Sequence, residues 1–329
     1  MLTIADLMQF NAYVCLIASI LLNSVLIFLI HMERSHENFY RMYNTFFIWS
    51  GVANLAMSLG FAVLQPAPIT FQSKTYIVFL GPFNFLPDLL LIPIFSIFIS
   101  ISIFQIFKEP AIFILRFIYI TRKMKMGAFI FRKLLSLILA LSLTLGLANW
   151  IILQESTLDI KPDISNIMGE DYGFLAVNNH AMNVLQVGVC SVGVFGFVVG
   201  FLIYRSIYER VTQTISIDGR ANYQRSIDIN QTLLVSAIQQ IIFLTLPICL
   251  LSIFSIEGFQ ISMKSMPIYL GTCFYPITNA ITTFIHLKYY QRQFRKSGMR
   301  CLVKLGYLKK VPNRISTAVE TSDLPGSGL

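Results

Sequence analysis

Apolar runs about as long as a bilayer is thick recur along this chain, and nothing else in it restricts the fold so severely. The run from Pro267 to Ile285 has 19 residues. As a helix rising about 1.5 Å per residue, it reaches across a hydrocarbon core roughly 30 Å thick. It holds Pro276 and Asn279 and is followed by Lys288, Arg292, Arg295 and Lys296. Inside hydrocarbon a backbone must satisfy its own hydrogen bonds, so each such run is expected to be helical. The runs predict helices at about 10–30, 42–64, 134–153, 179–204, 232–256 and 267–287.

One region admits two arrangements. Tyr76 to Phe107 is almost wholly apolar but broken by Pro82, Pro87, Asp88 and Pro93, and Lys108-Glu-Pro110 precedes a further apolar run, Ala111–Ile120. Either the third crossing covers 78–106, with 111–120 along the inner surface, or one long helix covers about 89–120. In the second case Lys108 and Glu109 fall near the cytoplasmic third. A close pair there offsets part of the desolvation cost, and a lysine can snorkel. Both arrangements leave the membrane on the same side.

Composition fits this class. Hydrophobic residues make up 55% of the chain and charged residues 12%, against about 25% charged in soluble domains. A soluble chain of this size would need far more polar surface. The chain is therefore read as an all-α membrane protein, a seven-transmembrane helix bundle. The formal net charge of +9 would suggest nucleic acid in a soluble domain. Here it is the excess expected on a cytoplasmic face and at anionic lipid, with no nucleic-acid partner.

The count of basic residues fixes the expected orientation. With the N-terminus outside, 22 of the 25 Lys and Arg fall in inner segments and three, Lys74, Lys161 and Lys264, in outer ones. The positive-inside rule applies to short loops like these and places the C-terminus in the cytoplasm. An even number of crossings would spoil the alternation. Residues 1–300 are expected to form the seven-transmembrane domain, 288–312 a membrane-proximal basic segment, and 313–329 a disordered tail.

Seven spans with this orientation are the layout of a G-protein-coupled-type receptor. Pro247 and Pro276 each remove a backbone hydrogen bond and are expected to bend the sixth and seventh helices; with Asn279 they are the candidate conformational switch. Five cysteines, Cys15, Cys190, Cys249, Cys273 and Cys301, show no metal-ligand spacing. The histidines are scattered, and no hydrolase, zinc or phosphate-cradling motif occurs, so neither enzyme activity nor a cofactor or metal is expected.

The chain resembles the nematode serpentine chemoreceptors of the Str-type superfamily. The likeness lies in Gln231-Thr-Leu-Leu-Val-Ser-Ala-Ile-Gln239 leading to Leu246-Pro247, and in Phe274-Tyr-Pro-Ile-Thr-Asn279 running on to His286-Leu-Lys-Tyr-Tyr-Gln-Arg292. It extends to the first inner turn, ending in Phe-Phe-Ile-Trp-Ser50, and to Arg116-Phe-Ile-Tyr119 as the nearest match to an aromatic-Arg motif, with Arg122 as a rival. The resemblance implies a chemosensory receptor at the plasma membrane, in sensory cilia, that detects a small molecule or peptide and couples to a heterotrimeric G protein.

Ligand-binding candidates are outer-half polar residues: Asp88, Asn149, Asn183 and Gln186, with Tyr269, Phe85 and Tyr275 as aromatic walls. Asp88 serves equally as a cap for the helix that follows it. On the inner face Arg116, Tyr119, Arg122, Lys123 and Arg210 are the candidates for G-protein coupling, although basic residues there also serve simply to orient the protein. His286–Lys296 is a candidate interfacial helix, with Cys301 as a lipidation site. Gly196 and Gly200 permit close helix approach, within the bundle or in a homo- or hetero-oligomer. The alternative function is a transporter or ligand-gated channel component.

Overall fold

The computed structural model of the protein describes residues 4–32, 38–71, 74–122, 128–158, 174–176, 180–213, 220–256, 267–287, 291 and 294. Helices dominate: α1 (Ile4–Met32), α2 (Asn38–Leu64), α3 (Asp88–Arg122), α4 (Ala128–Leu158), α5 (His180–Gln213), α6 (Arg220–Gln240), α7 (Leu246–Ile256) and α8 (Pro267–His286). A π-helical turn, Ile241–Thr245, joins α6 to α7 without a break, so the eight labels describe seven legs.

Among the described residues, six legs are long and apolar enough to cross a membrane: Asp6–Met32, Tyr43–Leu64, Leu89–Ile118, Arg132–Gln154, Val184–Ile207 and Ile227–Phe254. The seventh, α8, is 20 residues long and more polar. Its Thr272, Asn279, Thr282 and Thr283 are all buried, because polar groups that are costly against lipid are turned toward other helices. The outer face of α1 is the reverse, with Phe10, Val14, Ile17 and Leu21 exposed at helical spacing. In water such a belt would drive aggregation; in lipid it is ordinary surface.

α3 is the axis of the bundle. Of its most apolar stretch 61% is buried, against 22% for that of α5, and it packs on α2, α4, α5 and α6. It is one helix of 35 residues with Pro93 and Pro110 inside it, so of the two expected arrangements the single long helix is the one adopted. The glycines of α5 explain how that crowded axis is reached: a Cβ on Gly196 would lie 2.7 Å from Cγ of Pro110, and one on Gly193 2.7 Å from Cγ2 of Ile106. The small-residue stripe thus serves contact within the chain.

Residues 78–79, read from sequence as the possible start of the third crossing, are instead part of a strand. β1 (Pro66–Phe71) and β2 (Lys74–Phe79) form an antiparallel hairpin, and β3 (Phe174–Ala176) adds to β2. β-branched and aromatic residues suit the pairing, and Pro82 and Pro87 follow in a turn before α3. The sheet covers one end of the bundle, where Gln9 Nε2 of α1 donates to Leu80 O at 2.8 Å. Gly81 is required there: a Cβ would meet Val63 O at 2.2 Å.

Candidate functional site

Beneath the sheet lies a cavity of about 110 Å³. Pro66 and Ile77 line it at the sheet end, and Ile106 and Leu244 toward the middle of the bundle. Phe61, Phe95 and Phe98 form an aromatic wall, with Phe61 and Phe98 edge to face at 4.9 Å between centroids. No ionisable side chain is among the described residues that line the cavity.

Four polar side chains reach it: Ser102, Asn149, Gln186 and Thr272. Ser102 Oγ is occupied by the Phe98 carbonyl at 3.1 Å. Gln186 Oε1 accepts from Ser252 Oγ of α7 at 2.8 Å. Asn149 differs, since it is only 1% exposed and neither its Oδ1 nor its Nδ2 has a hydrogen-bond partner among the described residues. A buried amide left unpaired costs about 1–3 kcal/mol per group, which marks Asn149 as the buried amide left unsatisfied among the described residues of the wall.

Away from the sheet, the cavity gives way to buried polar side chains. Gln240 Nε2 donates to the Ile106 carbonyl at 3.0 Å, tying the end of α6 to the cavity floor. Gln105 Nε2 donates to Asn54 Oδ1 at 2.9 Å, and Asn54 Nδ2 to Asn23 Oδ1 at 3.1 Å. Asn23 in turn reaches the Pro276 carbonyl of α8 at 3.4 Å. One row of amides therefore links α1, α2, α3 and α8. Beyond it Lys108 and Glu109 pair at 3.8 Å, each 1% exposed, and Lys108 Nζ donates to Ser50 Oγ. Farther along α3, Arg116 is fully buried, its guanidinium carbon 5.4 Å from the centroid of the Tyr43 ring.

The sequence candidates divide accordingly. Asn149 and Gln186 line the cavity together. Asp88 opens α3, and Asn183 and Tyr269 lie on α5 and α8, but their side chains are outside the described residues, as are those of Tyr119, Arg122 and Arg210. Lys123 and Cys301 are outside the described residues altogether. Phe85, expected as a wall, is 74% exposed, because it sits in the turn before α3. Tyr275 is buried and receives a hydrogen bond from Asn279 Nδ2 at 3.4 Å.

Arg116, expected on the basic inner face, is inside the bundle instead, and Lys108 does not snorkel. Long helices bring these side chains against α2, where Tyr43, Phe46 and Ser50 receive them. Pro247 and Pro276 are both buried. The π-helical turn ends two residues before Pro247, and Leu246 N–H bonds to Ile241 O across it. Such turns accommodate a local misfit in the helical ladder and recur at functional positions. Leu244 and Ile248, on either side of Pro247, both touch the cavity.

Phe61, Phe95, Phe98, Leu244 and Ile248 carry no sequence signal as lining residues, since an apolar side chain in an apolar run does not show which way it faces. No protein-family model and no curated protein matches the chain.

Proposed function

We propose that the protein is a chemosensory receptor of the G-protein-coupled type, with its amino end outside the cell, its carboxyl end in the cytoplasm, and the cavity beneath the sheet as its ligand site. The observation that carries this reading is the contact between the cavity and the irregular part of the sixth leg. Leu244 belongs to the π-helical turn and Ile248 follows Pro247, and both line the cavity. A ligand seated there bears directly on a segment whose backbone bonding is already irregular. Helices of that kind can take two packings of similar energy, and a ligand that prefers one shifts the population.

Charge supports the orientation. Removing buried Lys108 and Arg116 from the inner count still leaves twenty basic residues against three. The basic inner ends of α5 and α6 would meet the G protein, and Tyr119, Arg122, Lys123 and Arg210 remain the residues proposed for that contact. The resemblance to nematode serpentine chemoreceptors adds the sensory role and the cilium as its place.

Two measurements test the reading. Epitope tags at the two ends, probed in intact and permeabilised cells, should show the amino tag accessible in intact cells and the carboxyl tag only after permeabilisation. Ligand-dependent nucleotide exchange on co-expressed G proteins tests the coupling. A ligand-gated current with no exchange would favour the transporter or channel alternative.

A further inference from the structure

The cavity's lining specifies the chemistry of what it binds, and this inference rests on the reading of that cavity as a ligand site. We infer that it takes a compact, uncharged, mostly apolar molecule bearing one hydroxyl or amide-like group, and that Asn149 is the residue that recognises that group.

Three observations converge. First, the space is small. An apolar void of about 150 Å³ takes a benzene ring, so about 110 Å³ limits the occupant to about one small ring. Second, no ionisable side chain is among the described lining residues. A cation or carboxylate entering the cavity would lose its hydration with no counter-charge, which such a site does not offset. Third, among the described lining residues one amide has both of its polar atoms buried and unpaired. Gln186 Oε1 is taken by Ser252 and Ser102 Oγ by a backbone carbonyl, whereas Asn149 is buried with its donor and its acceptor both unpaired.

A carboxamide presents an N–H donor and a carbonyl acceptor side by side. A hydroxyl can meet either atom, and a lactam can meet both at once. The rest of the molecule would lie against Phe61, Phe95 and Phe98 on one side and Leu244 and Ile248 on the other. Hydrogen-bonding sites of this kind discriminate strongly against analogues that lack the polar group, because the protein's own group is then left buried and unpaired.

The test uses the full-length chain in lipid nanodiscs with cyclopentanol, cyclopentane and cyclopentylammonium as matched probes, binding being read by ligand-observed NMR. The expected order is cyclopentanol over cyclopentane by about tenfold or more, with cyclopentylammonium unbound. Asn149→Leu should abolish the preference for cyclopentanol while retaining cyclopentane. Equal binding of alcohol and hydrocarbon by the unaltered protein, or binding of the ammonium, would overturn the inference without any variant. Undiminished alcohol preference in Asn149→Leu would overturn the role of Asn149.

A parallel nucleotide-exchange measurement separates this inference from the receptor reading. Asn149-dependent binding without exchange on any G protein would defeat the receptor reading and leave the site intact. Ligand-stimulated exchange that is indifferent to Asn149 would do the opposite.

Discussion

Lys108 Nζ and Glu109 Oε1 lie 3.8 Å apart with 1% of each side chain exposed, so adjacent residues of one helix form an ion pair inside the bundle. The ammonium is 5.8 Å from the Phe46 ring centroid and donates to Ser50. A buried pair of this kind adds little net stability relative to an apolar replacement. Removing one partner is different, because the other charge is then stranded.

Lys108→Met should therefore destabilise the protein by about 3–5 kcal/mol, and Lys108→Met with Glu109→Gln should recover most of the loss. Thermal unfolding in detergent, followed by size-exclusion chromatography, reads both. A single variant as stable as the parent would contradict the buried pairing.

The amide row is testable by a double-mutant cycle. Gln105→Leu and Asn54→Leu break the 2.9 Å bond that ties α3 to α2. The coupling energy should be about 0.6 kcal/mol, reaching at most about 1.7 kcal/mol, as for other hydrogen bonds between membrane helices. Strict additivity would mean that the two residues act independently.

The glycines of α5 predict effects of opposite sign. An alanine at Gly196 puts its Cβ 2.7 Å from Cγ and 2.9 Å from Cβ of Pro110. The rigid ring has little room to give, so Gly196→Ala should lose about 1–3 kcal/mol. A Cβ added at Gly188 would meet nothing within 4 Å among the described residues, and Gly188→Ala should gain up to about 1 kcal/mol from helix propensity. Thermal unfolding of the two variants side by side checks the difference in sign.

Pro247 bears on the proposed function. Pro247→Ala restores a backbone donor next to the π-helical turn and should favour a regular ladder there. Ligand-stimulated nucleotide exchange is expected to fall on the order of tenfold, equivalent to about 1.4 kcal/mol in the conformational equilibrium. Cyclopentanol should still bind the variant. Unchanged exchange would remove Pro247 from the switch.

How far the chain can be read without its fold depends on the kind of signal. The lengths of the apolar runs determined the helical legs, because hydrocarbon permits few other backbones. Pro247 marked the neighbourhood of the π-helical turn in the sixth leg, and the partition of Lys and Arg gave the expected orientation. Tertiary structure decided what faces inward. Nothing in the sequence separates the lining residues Phe95 and Phe98 from Ile97, which is 57% exposed, because every residue of that run is compatible with lipid. Nor does it show that Arg116 turns inward, that Tyr76 pairs in a sheet, or that Asn149 is left unpaired while Gln186 is not. Those outcomes follow from helix rotation and close packing, which are set by contacts between segments distant in the chain.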